Sequence, residues 1–293
     1  MPNPRALVRR RKAVSNTRKI TKTMEMVSTA RMARAQAATL AARPFARKLR
    51  EIIGDVAAHS TGIKHPLLEE HPEPRTAVVV VLTSDRGLCG AFNANIIRQV
   101  RALHSELKAR GLAIEYLVQG KKGVAAFRYL RIPVTKSYLL VSDKPSYARA
   151  EEIAGALIGL YTQGAVDEAY IVYSQFRNLA SQVPKAEKLL PLTALETPAQ
   201  ALGARRALGM GYLFHPGAER ILSELLPQVV KLSLFTAMLD NAAGEHSARH
   251  VAMKNATEAA DEMIKKLTQT YNRARQGKIT QEISEIVGGA EAL

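Results

Sequence analysis

The spacing of apolar residues divides the chain into three stretches, and the first predicts one very long helix. From about Pro4 to Ala58, apolar residues recur at helical spacing, as at Ile20, Met24 and Val27, with many alanines between them. A helix of about 55 residues would reach about 80 Å at about 1.5 Å per residue. A helix of that length cannot lie buried inside a small domain. Pro44 predicts a kink within it.

The middle stretch alternates strand and helix signals. Thr76–Ser84 is a continuous run rich in β-branched residues, typical of a strand that is buried on both faces. Further elements are predicted as strands at Ile114–Val118, near Val134–Val141, at Ala169–Ser174 and at Lys188–Leu192, and as helices at Asn93–Arg110, near Lys122–Leu130 and at Ala148–Gln163. This alternation predicts an α/β layer domain with a mostly parallel sheet.

The last stretch predicts a second long helix, with an apolar stripe at helical spacing from Ile221 to Ile279. Each long helix needs a partner for its stripe, and the nearest candidate is the other helix. We therefore predict a long antiparallel coiled coil, a stalk formed by residues 1–60 and 215–290, with the central α/β domain at 75–195. Its alanine-rich seam buries little area per contact, so the coil needs a surrounding partner to be firmly held.

Charge is concentrated at the N-terminus of this 293-residue chain. The first 50 residues hold fourteen Lys and Arg and a single acid, Glu25, so they carry +13 of the net charge of +16. Such a field implies an anionic partner, namely nucleic acid, anionic lipid or an acidic protein surface. The longest aliphatic run, Val78 to Leu82, is far shorter than the about 20 residues that span a bilayer.

Motifs that would indicate an active site are missing from the sequence. The pairs Gly120-Lys121 and Gly277-Lys278 lack the earlier glycine of a phosphate-binding loop. His246 and His250 lie four residues apart without the glutamate of a zinc-protease motif, so we interpret them as surface histidines. The single cysteine, Cys89, excludes an intramolecular disulfide framework, and we expect it to be a buried small residue. No catalytic, cofactor or metal site is expected.

Three stretches carry a family resemblance. Asn16–Gln36 (NTRKITKTMEMVSTARMARAQ), Thr83–Asn93 (TSDRGLCGAFN) and Ala252–Gly289 resemble, in the same order, the gamma subunit family of rotary F-type ATP synthases. The likeness extends over nearly the whole chain and agrees with the plan of helix, α/β domain and helix. Because it begins near residue 5, the basic N-terminus is expected to belong to the mature shaft and not to a transit peptide, which favours a bacterial protein.

The resemblance implies a mechanical function. The family's gamma subunit is the central stalk: its coil lies inside a ring of three alpha and three beta subunits, and its lower part docks on epsilon and the c-ring. Ion flow turns the ring and the shaft, and the asymmetric shaft cycles the catalytic beta subunits through their conformations.

The chain would therefore be a non-catalytic subunit of the enzyme, and it would bind neither a cofactor nor nucleic acid. It would be peripheral at the cytoplasmic face of the bacterial membrane, with no membrane insertion of its own. The coupling ion is left open.

Contact residues follow from matching the family's motifs. The beta subunit's acidic lever would meet the basic first helix, and the upper end of the last helix would meet loops of the ring. Arg249 matches an arginine of the coupling region, and Met24 has coiled-coil packing as its equal alternative. The expected partner contacts are Lys19, Lys22, Met24, Arg86, Arg249, Arg275, Gln276, Thr280, Gln281 and Glu282. The apolar tip, Ile283 to Val287, would turn within an apolar sleeve.

Three positions depart from the family pattern, and two other classes of protein compete with it. Ala91, His250 and Gly277 stand where Gly, Met and Ala are usual, and Gly277 is expected to soften the shaft locally.

A nucleic-acid-binding coiled coil would also begin with a basic helix. However, the sequence lacks a leucine heptad and aromatic residues interleaved with the basic ones. An α/β enzyme with helical arms would need catalytic or ligand-binding motifs that this sequence lacks.

Overall fold

The computed structural model describes residues 4–59, 65–179, 181–192 and 217–291. In chain order the elements are α1 (Pro4–His59), β1 (Thr76–Leu82), α2 (Phe92–Ala109), β2 (Ala113–Gln119), α3 (Lys121–Tyr129), β3 (Lys136–Tyr138), α4 (Tyr147–Thr162), β4 (Glu168–Phe176), β5 (Gln182–Leu190) and α5 (Ala218–Glu291). Two long terminal helices enclose an α/β arrangement, which confirms the predicted fold class. Of the predicted domain limits, 1–3, 60, 193–195 and 215–216 lie outside the described residues, and the limits stay predictions.

The strands form one five-stranded sheet in the order β3-β2-β1-β4-β5. β1 pairs in parallel with β2 and β4, β2 pairs in parallel with β3, and only β5 is antiparallel, to β4. β1 is central because the run from Ala77 to Leu82 is buried on both faces, where each residue presents an apolar side chain. The prediction of a mostly parallel sheet is therefore confirmed.

The two edge strands differ from the sequence prediction. β5 begins at Gln182, earlier than the predicted Lys188, and β3 is confined to Lys136–Tyr138 instead of Val134–Val141. Most of β5 is only half-buried, so charged residues such as Lys185 interrupt the apolar pattern. Pairing with β4 makes this segment a strand, and its own composition gives a poor signal for that.

The helices that cover the sheet are amphipathic and end at local signals. α2 buries Phe92, Ile96, Val100, Leu103 and Leu107, which recur at intervals of three and four. It ends before Gly111, whose φ of 81° is in the left-handed region that favours glycine. Ser146 caps the N-terminus of α4, because its Oγ accepts a hydrogen bond from the amide of Arg149.

The core has two parts, one on each face of the sheet. Side chains such as Val80 point to the face covered by α4 and by segments of both long helices, including Leu49 of α1 and Leu226 of α5. Side chains such as Val79 point to the other face, which is covered by α2 and α3, including Phe127. Parts of α1 and α5 are therefore core elements of the α/β unit.

The contacts divide the chain into two compact units. One contains Ala30–Ala248, and with it the sheet, α2, α3 and α4. The other contains Met1–Thr29 and Arg249–Leu293, and its helices are the first part of α1 and the last part of α5.

The segment Glu219–Ser284 of α5 is long and apolar enough to cross a membrane, judged by length and composition alone. However, 44% of its most apolar stretch is buried inside the protein. A buried core helix of a soluble protein can have the same length and apolar composition.

The start of α3 approaches the end of β1 closely. The hydroxyl of Thr83 donates to the carbonyl of Gln119 at 2.6 Å and accepts from the amide of Gly123 at 2.9 Å. A Cβ on Gly123 would lie 2.5 Å from Thr83 Oγ1 and 2.8 Å from Val118 Cγ1. Both neighbours are β-branched, so they cannot rotate away freely. Glycine is required here because of this close approach.

We expect Gly123→Ala to lower the free energy of unfolding by about 1–3 kcal/mol, because the added methyl group overpacks the turn. Gly155→Ala is the matched control: Gly155 also lies inside a helix, and its Cβ would meet nothing within 4 Å. That control should stabilise the protein by about 0.5–1 kcal/mol through helix propensity. Urea unfolding of both variants measures the two effects, and equal shifts of the same sign would contradict the close-approach argument.

A buried carboxylate ties β4 to its neighbours. Glu168 is 5% exposed, and its Oε1 accepts from Arg110 Nη2 at 2.8 Å and from Lys188 Nζ at 2.9 Å. Its Oε2 accepts from the hydroxyl of Tyr170 at 2.9 Å. Burial by itself raises the pKa of Glu168, but the hydrogen bonds from Arg110, Lys188 and Tyr170 outweigh it and lower the pKa below its usual 4.5.

We expect Glu168→Gln to lower the free energy of unfolding by about 1–3 kcal/mol at pH 7, since charge-assisted hydrogen bonds are lost. A depressed pKa in the folded state stabilises the protein above pH 4.5, and this stabilisation disappears as the pH falls through the folded-state pKa. The difference between wild type and variant should therefore shrink below pH 4.5 in urea unfolding at several pH values. Glu73→Gln, which affects an exposed pair with Arg75, is the control and should leave stability unchanged. A difference that does not vary with pH would contradict the assignment.

Candidate functional site

The first part of α1 and the last part of α5 lie side by side. The contacts that join them are Arg11 over the ring of Tyr271 at 5.7 Å, Arg18 Nε to Asp261 Oδ1 at 2.5 Å, Thr21 Oγ1 to Thr257 Oγ1 at 2.8 Å, and Thr29 Oγ1 to His250 Nδ1 at 2.9 Å. Positions rise along α1 from Arg11 to Thr29 while their partners fall along α5 from Tyr271 to His250. The pair is therefore antiparallel, as the sequence predicts.

The seam of this helix pair is thin. Its buried residues are mostly small or polar, and they include Thr21, Ser28, Thr257, Ala260 and Ala274, with Met253 and Leu267 as larger members. Such side chains allow close approach but contribute little apolar area per contact. The pair is held partly by hydrogen bonds and ion pairs at its surface, which contribute little each.

Large apolar side chains on these same helices are exposed. Ile20 on α1 is 61% exposed and Ile286 on α5 is 72% exposed, and Val27, Met263 and Ile283 are exposed as well. Exposed apolar residues thus occur along both helices, and Ile283, Ile286 and Val287 of the predicted apolar tip are among them.

Two of the predicted contact residues on α1, Lys19 and Lys22, lie one turn apart on the same side of the helix. Lys19 and Lys22 are exposed, and Lys22 Nζ lies 3.1 Å from Glu25 Oε1. Met24 is half-buried, and because it is two residues from Lys22 it lies toward another side of the helix. The arrangement presents a basic face along α1.

The predicted residues near the end of α5 form a separate group. Arg275, Gln276, Thr280, Gln281 and Glu282 are all exposed, in a run where the hydroxyl of Thr280 donates to the carbonyl of Gln276. Because Tyr271 lies opposite Arg11, this group is about 20 Å along the pair from the α1 group, at about 1.5 Å per residue. The structure does not bring the two groups together. Arg249 is 6% exposed, so the chain itself covers most of its side chain.

Arg86 lies in the turn after β1, within a network of acids that the sequence analysis did not single out. Asp143 Oδ2 pairs with Arg86 Nε at 3.4 Å and with Arg31 Nη1 at 2.9 Å. Asp85 accepts hydrogen bonds from the amides of Lys121, Leu140 and Ser142, each at 3.1 Å. Burial raises the pKa of Asp85, but these hydrogen bonds lower it overall. The signal for Asp85 was an aspartate between a buried strand and a glycine, which is typical of a turn.

The residues considered for metal or thiol chemistry differ in how deeply they are buried. Cys89 is buried, as predicted. His246 is also buried, so its interpretation as a surface histidine is wrong: α5 passes through the core at that point. His250 is half-buried and bonds to Thr29. Among the residues that the structure describes, no group of three or more His, Cys, Asp or Glu side chains is arranged to hold a metal ion.

The place where sheets of this type bind ligands is occupied by α5. The chain leaves β1 to form β2 on one side and returns to β4 on the other, so the carboxyl ends of β1 and β4 form the switch point of the topology. Asn241 Oδ1 accepts from the amide of Ser174 at the end of β4. A Cβ on Gly244 would lie 3.4 Å from both Ser174 and Phe92, the first residue of α2. The helix therefore fills the crevice in which a nucleotide would otherwise bind.

A cleft between α1, α5 and the β4–β5 edge was not predicted. Its lining includes Leu40, Pro44, Tyr173, Glu187 and Asp240. The hydroxyl of Tyr173 donates to Glu187 Oε2 at 3.0 Å, and Lys185 pairs with the same carboxylate. Burial and the neighbouring Glu187 raise the pKa of Tyr173, so it remains a neutral hydrogen-bond donor. The cleft combines a few paired polar groups with apolar walls.

Comparison with known proteins agrees with these observations. The family model described as ATP synthase matches residues 3–293. The ATP synthase gamma chain of Desulforamulus reducens is 45% identical over 293 residues, with all of both chains covered. That of Pelotomaculum thermopropionicum is 43% identical over the same length, again with all of both chains covered.

Solved structures give the same result for the fold. A structure of the Tetrahymena thermophila mitochondrial ATP synthase central stalk and c-ring contains a chain with 27% identity and a TM-score of 0.58, covering 81% of this chain and 99% of that one. A chain of the Euglena gracilis mitochondrial ATP synthase, in a structure of its OSCP, F1 and c-ring, has a TM-score of 0.65 at 20% identity, covering 99% and 94%. The full-length identities establish what the helix pair and the filled crevice suggest: the chain belongs to the ATP synthase gamma chain family, which supplies the central stalk of the rotary enzyme.

Proposed function

We propose that this chain is the rotor shaft that couples ion-driven rotation of the c-ring to conformational cycling of the catalytic beta subunits, and that it has no active site of its own. The observation that carries the proposal is the antiparallel helix pair, whose seam is thin and whose large apolar side chains are exposed. A helix pair built this way gains most of its stability when a second protein encloses it.

Two exposed surfaces of the helix pair, one on α1 and one near the end of α5, indicate its partners. The basic face with Lys19 and Lys22 is complementary to acidic levers on the beta subunits, and Met24 would contact the same levers. Farther along, Arg275, Gln276 and the run Thr280–Glu282 would meet loops of a ring of three alpha and three beta subunits. Arginine suits this role because its planar guanidinium binds a carboxylate through two parallel hydrogen bonds.

The apolar tip suits rotation. Ile283, Ile286 and Val287 are exposed at the end of α5. Apolar contact has no preferred direction, so a sleeve around this tip can hold it at every angle of rotation. A tip held by directional hydrogen bonds would instead favour a few angles.

The remaining assignments concern the lower end of the rotor. We assign the epsilon subunit and the c-ring as partners of the α/β part, at the cytoplasmic face of a bacterial membrane and without membrane insertion by this chain. Arg86, in the turn after β1, would add to the basic surface that meets the acidic levers, and Arg249 would belong to the coupling region. The similar Tetrahymena thermophila chain, which comes from a structure of a central stalk with its c-ring, supports the assignment of the c-ring.

Assembly of the chain with alpha and beta subunits tests the proposal. Co-expression with alpha and beta subunits, followed by affinity capture through this chain at moderate salt, should give a complex of three alpha and three beta subunits per copy that hydrolyses ATP. Truncation after Gln276 removes the tip and part of the ring contact, and should weaken the ATPase activity. Capture of nucleic acid without a ring, with steep salt dependence, would overturn the proposal in favour of a basic-helix nucleic-acid protein.

A charge-reversal pair tests the basic face of α1. Lys19→Glu with Lys22→Glu should weaken retention of the chain in the ring by about tenfold or more, because it places like charges opposite the acidic levers. Arg98→Glu with Arg101→Glu on the exposed face of α2 changes the net charge equally and is the matched control. Retention is measured by the rate at which the ring loses the chain on dilution. Equal losses in the two double variants would mean that net charge, and not this face, controls assembly.

A further inference from the structure

The cleft between α1, α5 and the β4–β5 edge is a cavity of small-molecule size that the proposed rotor function does not use. Its volume is about 650 Å³, within the range of about 300–1,000 Å³ that is typical of ligand sites. Elements from distant parts of the chain form its walls, with Leu40 and Pro44 from α1, Tyr173 and Glu187 from the two strands, and Asp240 from α5. A molecule in this cleft would therefore touch both long helices and the sheet.

The wall around Pro44 is apolar. Leu40, Pro44 and Ala46 line the cleft from α1, and Ala237 lines it from α5. Proline has no N–H, so the carbonyl of Leu40, four residues before Pro44, is left without its usual helical donor. A ligand that fits this wall needs an apolar body, and it gains further from a hydrogen-bond donor.

The polar groups of the cleft are mainly acceptors. Asp240 is 9% exposed, and a carboxylate has lone pairs for about four hydrogen bonds, so it can accept from more than one donor. The hydroxyl of Thr236 donates to the carbonyl of Leu232 at 2.8 Å, so it offers the cleft only its lone pairs. The hydroxyl of Tyr173 is likewise used, because it donates to Glu187 Oε2. The cleft therefore favours a ligand that donates hydrogen bonds.

The charges around the cleft favour a cation. Burial raises the pKa of Tyr173, and the charges of Glu187 and Asp240 raise it further. Both carboxylates therefore act on this hydroxyl. Among the lining side chains that the structure describes, Arg47 is the one cation, and its side chain is mostly exposed. Lys185 pairs with Glu187 through the oxygen that Tyr173 does not use.

We propose that the cleft binds a small organic ammonium ion, namely a protonated primary amine with an apolar body. Its ammonium group donates to Asp240 and Thr236, and its apolar body packs against Leu40, Pro44 and Ala46. A primary ammonium has three N–H donors and no acceptor, which matches a site whose polar groups accept. The bound ion holds α1, α5 and the edge of the sheet together. This ligand site goes beyond the proposed rotor function and does not depend on it.

A series of four-carbon compounds tests the charge of the ligand. Butylammonium should bind the full-length chain with a dissociation constant of about 1 mM, a value within reach of so small a ligand. Butanol has the same apolar body without the charge, and butyrate reverses the charge, so both should bind about tenfold more weakly or worse. Ligand-observed NMR titration at constant ionic strength measures all three. Absence of butylammonium binding, or equal affinity for the three compounds, would overturn the inference.

Conservative variants locate the site. Asp240→Asn should weaken butylammonium binding about tenfold, because the charge-assisted hydrogen bond is lost. Thr236→Val should weaken it about threefold and keep the fold, since the hydroxyl bonds only to the backbone of its own helix. Glu224→Gln is the matched control: it removes a carboxylate of α5 that forms an exposed pair with Arg220, and should leave binding unchanged. Wild-type affinity in both cleft variants would contradict this site.

The assembled complex distinguishes two sources of the amine. If the natural ligand is a free amine, the complex with alpha and beta subunits should bind butylammonium as the isolated chain does. If it is the lysine side chain of a partner subunit, only the isolated chain should bind butylammonium. Because the titrations of the isolated chain do not require assembly, a failure of ligand binding and a failure of the proposed function are separate results.

Discussion

The rest of the structure depends on how closely two helices from opposite ends of the chain approach each other. Thr21 meets Thr257 across a seam in which alanine, serine and threonine predominate. Small residues permit the close approach, but they cannot supply the apolar burial that usually stabilises a coil. Large apolar side chains such as Ile20 and Ile286 remain outside. The pair is thus narrow and buries little apolar surface by itself, as suits the central stalk of a rotary enzyme.

The same long helix packs where α/β sheets of nucleotide-binding type usually hold their ligand. α5 packs on one face of the sheet through Leu226 and reaches the other face at Ala248. Between these points it packs against the carboxyl end of β4, where Asn241 bonds to Ser174, and against the first residue of α2. The crevice that such folds use for chemistry is thereby used for anchoring a helix. The sheet anchors α5, and the function of the protein follows from its surfaces and not from its fold class.

Acidic residues give this basic protein its internal order. Glu168 joins α2, β4 and β5 through Arg110 and Lys188, and Asp85 joins two loops through backbone amides. In both cases hydrogen bonds outweigh the effect of burial and lower the pKa of the carboxyl group. These carboxylates therefore fix neighbouring strands, helices and loops to one another.

The sequence by itself determined the features that repeat along the chain. Helical periodicity marks α1 and α5 over many turns, and the β-branched run of β1 marks a strand buried on both faces. The motifs around Met24, Arg86 and Arg275 were sufficient to indicate the family. The tertiary structure decided what depends on residues distant in sequence. β5 is a strand because β4 pairs with it, His246 is buried because α5 crosses the core, and Asp85 connects to Leu140 only after folding. Local patterns carry no record of such contacts: Asp85 and Leu140 are 55 residues apart, and β5 is recognisable as a strand only through its pairing with β4.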